Sequence, residues 1–153
     1  AKAVCLGEAL RPEFGDYARR SLENARALAA TLLARGSTLV GGGTDSSLLL
    51  LDLGPLGLTG DVACESLENA GLTCNKNAVP FDPQPPQVTS GLRLSSAVGT
   101  TRGFGEAEFE IIGELIADVL SGLAANPGDN EAAEAAAKEV VTELCRRFPI
   151  YPN

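Results

Sequence analysis

The sequence predicts an α+β fold in which a small antiparallel or mixed sheet has helices packed on one side. Amphipathic helical patterns occur towards both ends of the chain, at residues 12–34, 104–123 and 131–147. Apolar segments of strand length lie between them, so the predicted element order is α, β, β, α, β, β, α, α. Amphipathic helices and a small sheet bury their apolar sides best as two stacked layers.

A long helix over residues 12–34 precedes the sheet. Pro12 suits the first helical position, and apolar residues recur every three or four positions. Gly36 is suited to end the helix. Residues 1–10 also have a helical pattern and begin without a capping residue, so we expect a helix cut by the start of the chain. Pro149 and Pro152 predict the end of the last helix.

The predicted strands are short, and one of them is strongly apolar. Residues 47–53 show no alternation, which predicts a strand that is covered on both faces or central in its sheet. Thr59 and Gly71 suit the two ends of a helix over residues 59–70. Four prolines within residues 75–87 exclude helix and sheet interior there. The remaining strands are predicted at residues 38–40, 72–74 and 88–94.

Composition excludes several classes of function. The chain has 153 residues, 12 Lys and Arg, 20 Asp and Glu and no His, which gives a net charge of −8. This charge argues against nucleic-acid binding, and the lack of His excludes an imidazole base or a His-ligated metal. No apolar segment approaches the ~20 residues of a membrane helix. The four Cys form no CxxC pair, so we expect reduced, mostly buried thiols, no metal site and a cytoplasmic protein.

Two polar segments are candidate binding sites. Residues 41–45, GGGTD, could present backbone N–H groups to a phosphate, but they lack the Lys of a P-loop and precede a strand. A tight turn between two strands is the favoured interpretation. In Asn75-Lys76-Asn77 two amides flank an ammonium group, which suits a heterocyclic or amide ligand but also an ordinary polar turn. A Schiff-base role for Lys76 requires a desolvated pocket, which the local sequence does not indicate.

Arg93 is the sharpest local feature because it lies in an apolar, small-residue strand. A guanidinium there needs a carboxylate or phosphate partner, supplied either by a ligand or by an acid of the chain. Arg102 is interpreted as a solvent-facing or capping residue. Glu106, Glu108 and Glu110 are spaced by two, so on a helix they point to different sides and form an acidic first turn rather than a catalytic pair.

Several motifs, taken in order, resemble serine hydroxymethyltransferase. The resemblance covers nearly the whole chain and corresponds to about the C-terminal third of a family member. The motifs are RPEF at 11–14, GGTD at 42–45, LTG at 58–60, NKNAVP at 75–80 with DP at 82–83, VTSGLR at 88–93, TRGF at 101–104 and RRFPIY at 146–151.

The resemblance implies a part of a fold-type I pyridoxal-phosphate transferase that converts serine and tetrahydrofolate into glycine and 5,10-methylenetetrahydrofolate. Arg93 aligns with the arginine that binds the substrate carboxylate, and Asn77 aligns with an asparagine that contacts the folate pterin. Pro85, Pro86 and Gln87 fall on the loop that touches folate. Two departures are Gln87, where the family has an aromatic residue, and Ser46-Ser47, where Asn-His is usual.

The resemblance also implies a division of labour. Residues 1–36 correspond to an interdomain helical segment and residues 37–153 to the small C-terminal domain. The family's Schiff-base lysine and most of its pyridoxal 5′-phosphate site lie in the larger domain, so we expect no catalytic residue here and no activity of this chain alone. Family members are homo-oligomers, and a homodimer is expected. The alternative is a stand-alone, non-catalytic α+β domain that binds small molecules or serves a structural role.

Overall fold

A computed structural model describes residues 1–151. The helices are α1 Lys2–Ala9, α2 Pro12–Ala34, α3 Gly60–Asn69, α4 Ala97–Arg102, α5 Glu106–Ala125 and α6 Glu131–Arg147. The strands are β1 Thr38–Leu39, β2 Leu48–Asp52, β3 Asn75–Asn77 and β4 Gly91–Ser95. None of these helices is long and apolar enough to cross a bilayer.

The four strands form one sheet in the order β1-β2-β4-β3, and all pairs are antiparallel. One side of the sheet is buried under the helices and includes Leu49, Leu51, Leu92 and Leu94. The other side is largely exposed, except at Gly91, where the Val79 side chain lies against the strand. Alternation therefore divides the sheet into a core face and an open face. The predicted α+β class, with helices on one side of a small sheet, is confirmed.

Helices α2 and α5 pack closely against each other behind the sheet. A Cβ on Gly113 of α5 would lie 2.8 Å from Cβ of Thr31, so only glycine permits this approach. Leu28 and Leu32 of α2 belong to the same buried cluster as the core face of the sheet. Asn24 is also buried, and its Nδ2 donates to Thr100 Oγ1 at 2.9 Å and to the Phe104 carbonyl at 3.0 Å. These two hydrogen bonds join α2 to α4 and to the segment that leads into α5.

Most predicted helices are confirmed. Helix α2 begins at Pro12, Gly36 follows its end with a φ of +82°, and α6 covers residues 131–147. Thr59 is the N-cap residue of α3. Helix α4 was not predicted, because its six residues are too few to show a period. Pro149 follows the end of α6, whereas Pro152 lies outside the described residues.

Three strand predictions need correction. The strand expected at residues 72–74 is wrong, because Cys74 turns into the core and the pairing begins at Asn75. β4 starts at Gly91 rather than at residue 88, since Val88 and Thr89 form a turn in which Thr89 has a φ of +63°. β2 is central, as one alternative predicted, but it is covered on only one face: Leu48 is 46% exposed and Leu51 is fully buried.

The thiols also differ from expectation. All four cysteines are free, as predicted, but only Cys74 is buried and Cys64 is half-buried. Cys5 and Cys145 are exposed. They lie on helix surfaces that no other described residue covers, so the prediction of mostly buried thiols is wrong.

Candidate functional site

Arg93 lies at the centre of the open face. In the strand register it is opposite Leu50 of β2 on one side and Asn75 of β3 on the other. Directly opposed residues on neighbouring strands point to the same side of a sheet. The neighbouring row on this face contains Asp52, Gly91 and Asn77. The register thus brings a guanidinium and two amides together on one surface.

The environment of Arg93 differs from the desolvated one that the apolar strand suggests. The Arg93 side chain is exposed, whereas its neighbours along β4, Leu92 and Leu94, point into the core. No ion pair of Arg93 with an acid occurs among the described residues, so the internal salt-bridge alternative is wrong for this part of the chain. The five N–H donors of an unpaired guanidinium match a carboxylate in fork geometry.

The proline-rich loop beside β3 is ordered by one carboxylate. Asp82 accepts hydrogen bonds from the backbone N–H groups of Val79 at 3.0 Å, Gln84 at 2.9 Å and Ser90 at 2.8 Å. It also accepts one from the Ser90 hydroxyl at 2.6 Å. These bonds, with the Ser90 hydroxyl foremost, lower the pKa of Asp82 to about 2. Because Ser90 directly precedes β4, Asp82 fastens the loop to the strand that carries Arg93.

The polar triplet forms an edge strand rather than a turn. Asn77 pairs with Gly91, and its Nδ2 donates to the Ala78 carbonyl at 2.8 Å. Lys76 Nζ donates to the Gln87 carbonyl at 2.5 Å and so joins β3 to the far side of the loop. Pro85, Pro86 and Gln87 are all exposed in this loop.

Two residues of the loop have features that the sequence pattern does not predict. Phe81 is fully exposed and has a φ of +58°, an uncommon combination for an aromatic residue. Asp82 is the acid of the DP motif at residues 82–83. The one local signal was Asp-Pro in a proline-rich segment, which indicates a turn but not four hydrogen bonds to one carboxylate.

The other candidates have structural roles. Residues 41–45 form the turn between β1 and β2, as favoured, with positive φ at Gly41 and Gly42. The Thr44 hydroxyl donates to the Leu48 carbonyl, and Ser46 Oγ accepts from the Leu48 N–H at 3.1 Å, so the departure at Ser46 is accommodated within the turn.

Arg102 is a capping residue, as one interpretation predicted. It donates to the carbonyls of Phe148 at 2.6 Å and Cys145 at 3.2 Å, at the end of α6. Glu108 accepts from the Gly105 N–H at 2.9 Å and caps α5. Among residues 1–151, no three His, Cys, Asp or Glu side chains are grouped to hold a metal ion.

The fold and the open face define an α+β domain whose sheet presents an exposed guanidinium and two amides on one surface. The model of the family described as "Serine hydroxymethyltransferase" matches residues 1–116. The chain therefore belongs to the serine hydroxymethyltransferase family, and the resemblance seen in the sequence is confirmed.

Curated relatives match almost the whole chain. Serine hydroxymethyltransferase of Paramagnetospirillum magneticum is 63% identical over 150 residues, which cover 98% of this chain and 35% of the relative. The enzyme of Rhizorhabdus wittichii is 61% identical over 154 residues, and that of Rhodospirillum centenum is 59% identical over 152. The match to the Rhizorhabdus enzyme covers 100% of this chain, and the match to the Rhodospirillum enzyme covers 99%. Each match covers 35% of the relative. The chain thus spans about a third of the length of these relatives.

The lysines of this chain do not fit a pyridoxal phosphate site. The ammonium group of Lys76 is exposed and donates to a backbone carbonyl, and Lys2 and Lys138 lie on exposed helix surfaces. None has the desolvated surroundings that a Schiff-base lysine needs. The chemistry of that cofactor is therefore assigned to no residue described here.

Proposed function

We propose that this chain is the C-terminal part of a pyridoxal 5′-phosphate-dependent serine hydroxymethyltransferase. The whole enzyme converts serine and tetrahydrofolate into glycine and 5,10-methylenetetrahydrofolate in the cytoplasm, as a homodimer. In this proposal residues 1–36 form the interdomain helical segment and residues 37–153 the small domain. The cofactor is held by the part of the enzyme that corresponds to the unmatched two-thirds of the relatives, and this chain alone is inactive.

The observation that carries the proposal is the guanidinium of Arg93, which is exposed on the open face and forms no ion pair with residues 1–151. In the assembled enzyme we assign Arg93 to the carboxylate of serine or glycine. The hydrogen bonds of a guanidinium to a carboxylate each contribute about 1.5–3 kcal/mol when water is excluded. Leu50, next to Arg93 in the register, is half-buried and provides an apolar neighbour that limits water on one side.

We assign the folate contacts to Asn77 and to the loop residues Pro85, Pro86 and Gln87. The amide of Asn77 has a donor and an acceptor that match the paired donors and acceptors of a pterin edge. The loop is linked to β3 through Lys76 and to β4 through Asp82, so its backbone is ordered without ligand. The two prolines add stiffness, which lowers the entropy lost when a ligand binds.

A chimaeric enzyme tests the role of Arg93. The matching third of the Paramagnetospirillum relative is replaced by this chain, and serine turnover is measured. We expect Arg93→Ala to raise the KM for serine by about 10- to 100-fold, because a charged hydrogen-bonded pair is lost. Arg93→Lys keeps the positive charge but not the two parallel N–H donors of the guanidinium. Its KM for serine should therefore lie between those of the native and Arg93→Ala enzymes.

The matched control is Arg20→Ala, which removes an exposed arginine from α2, away from the sheet. It should leave the KM for serine unchanged. An Arg93→Ala enzyme with an unaltered KM for serine would remove Arg93 from the carboxylate site.

The alternative function, a stand-alone binding or structural domain, is favoured only by the ordered loop and the free guanidinium. The purified 153-residue chain distinguishes the two. Micromolar binding of glycine, serine or tetrahydrofolate to this chain supports the binding domain, whereas absence of binding supports a part of the enzyme. A visible absorbance band after addition of pyridoxal phosphate, lost in Lys76→Ala, would contradict the inactivity that we expect.

A further inference from the structure

Two thiols meet where α3 packs against β3. Cys64 lies in the first half of α3, and Cys74 directly precedes β3. Their Sγ atoms are 3.8 Å apart, and Cys64 Sγ also lies 3.4 Å from the Cys74 carbonyl oxygen. The proposed function assigns the pair no role.

We propose that Cys64 and Cys74 are a reversible dithiol–disulfide site that joins α3 to the start of β3. A disulfide has an S–S distance of about 2.05 Å, so the two sulfurs need to approach by only about 1.8 Å. The movement required is a rotation of the two side chains with a shift of the edge strand. The inference does not rest on the proposed function.

The surroundings of the two sulfurs set the order of reaction. Cys64 is half-buried and reachable from solvent, whereas Cys74 is 8% exposed. Burial, followed by the nearby Cys64, raises the pKa of the Cys74 thiol to about 12. Cys64 is therefore the residue that is oxidised first, and Cys74 the one that resolves the product.

The chemistry balances with a hydroperoxide as the oxidant. The Cys64 thiolate attacks hydrogen peroxide: an S–O bond forms, the O–O bond breaks, and the released hydroxide becomes water with the thiol proton. Cys74 sulfur then attacks Cys64 sulfur, so the S–S bond forms and the S–O bond breaks. The leaving hydroxide takes the Cys74 proton. Two thiols thus lose two electrons and two protons, and one peroxide is reduced to two waters. A dithiol reductant reverses the change by exchange.

The disulfide would act on the edge of the open face. Cys74 is followed at once by Asn75, which is the register partner of Arg93. Joining Cys74 to α3 fixes the first residue of β3 against a helix of the core. Oxidation therefore restrains the strand beside Arg93 without altering any residue of the open face itself.

The test uses the 153-residue chain with Cys5→Ser and Cys145→Ser, which leaves only the pair. After treatment with one equivalent of hydrogen peroxide, remaining thiols are alkylated and the intact mass and linked peptides are measured. We expect a loss of about 2 Da, no alkylation, and one peptide pair that joins residues 64 and 74. Dithiothreitol should restore two alkylatable thiols.

Cys64→Ser in the same background is the control, with far-UV circular dichroism to establish that it is folded. Loss of thiol should be at least about tenfold slower there, because the thiol that reacts first is absent and the remaining Cys74 is buried. The oxidised parent should also unfold at a higher urea concentration than the reduced one, since the crosslink restricts the unfolded chain. Full alkylation after peroxide, sulfinic acid at Cys64, a link between two chains, or a lower urea midpoint would each overturn the proposal.

Discussion

At the scale of single residues, Asp82 determines the shape of the loop beside the open face. Four donors converge on its carboxylate, three of them backbone N–H groups. A loop with four prolines has few N–H groups of its own to form regular hydrogen bonds, so a side-chain acceptor takes their place. The loop that carries the candidate folate contacts is therefore held in place by Asp82, a residue to which no ligand contact is assigned.

Asp82→Asn tests this role through the pH dependence of stability. The pKa of Asp82 is lowered from 3.8 to about 2 in the folded chain. Its stabilisation is present above the unfolded pKa and is lost as pH falls through the folded one. Stability of the native chain should therefore fall between pH 4 and pH 2, and in Asp82→Asn this part of the fall should be smaller.

The measurement is the urea midpoint at a series of pH values, and at pH 7 the Asp82→Asn midpoint should be lower than that of the native chain. Asp45→Asn is the matched control, because Asp45 is fully exposed and its only described ion pair, to Arg26, is 3.7 Å long. It should leave the curve unchanged. Identical pH profiles for Asp82→Asn and Asp45→Asn would show that the four hydrogen bonds do not order the loop.

The identity of Arg93 as a candidate was available from the sequence, but its surroundings were not. An arginine among apolar residues suggested a buried charge. The pairing of β4 with two neighbours places alternate residues on opposite faces, so Leu92 and Leu94 are buried while Arg93 is exposed. Which of the two faces is covered depends on helices that are distant in sequence.

At the scale of elements, β4 is the strand that joins the site to the core. Gly91, its first residue, has β2 on one side and β3 on the other. A Cβ there would lie 2.8 Å from Val79 Cγ1 and 2.9 Å from the carbonyl oxygens of both Asn77 and Leu51. Only glycine allows these three strands to approach so closely.

Gly91→Ala is therefore expected to destabilise the chain by about 1–3 kcal/mol and to displace β3 at Asn77. Gly15→Ala is the matched control, since Gly15 lies inside α2 with no atom near its Cβ position. It should stabilise the chain by roughly 0.5–1 kcal/mol. Urea unfolding measures both, and equal effects of the two substitutions would contradict the close approach at β4.

The wrong strand prediction at residues 72–74 has a physical cause. Residues 72–74 are more apolar than Asn75-Lys76-Asn77, and apolar content favours strand in a sequence pattern. An edge strand is held by backbone hydrogen bonds to one neighbour, so polar side chains are tolerated there. Cys74 is buried because it packs in the core before the strand begins. An apolar residue in the sequence does not show whether it is buried as part of a strand or in the segment beside one.

At the scale of the whole molecule, α2 shares its core with the sheet. Leu32 is fully buried in the cluster that also contains Leu39 and Leu51, whereas the adjacent Leu33 is 41% exposed. Because α2 and the sheet bury their apolar side chains in one continuous cluster, we expect them to unfold together.

Leu32→Ala should lower the free energy of unfolding by about 2–5 kcal/mol, because it leaves a cavity in this cluster. Leu33→Ala, one position along the same helix, should change it by less than about 1 kcal/mol. Amide exchange of β2 after Leu32→Ala provides the second readout. If exchange increases in α2 but not in β2, the helix unfolds independently of the sheet.

The sequence by itself determined the helices other than α4, the α+β class, the family and the residue types of the candidate site. Helical periods, caps and motifs are local, and each is set by residues a few positions apart. Tertiary structure alone decided that Arg93 is exposed, that Asn75–Asn77 is a strand, that Asp82 orders the loop and that Cys64 meets Cys74. Each of these depends on contacts between segments that come together only when the helices cover one face of the sheet, and burial of that face is a property of the whole chain.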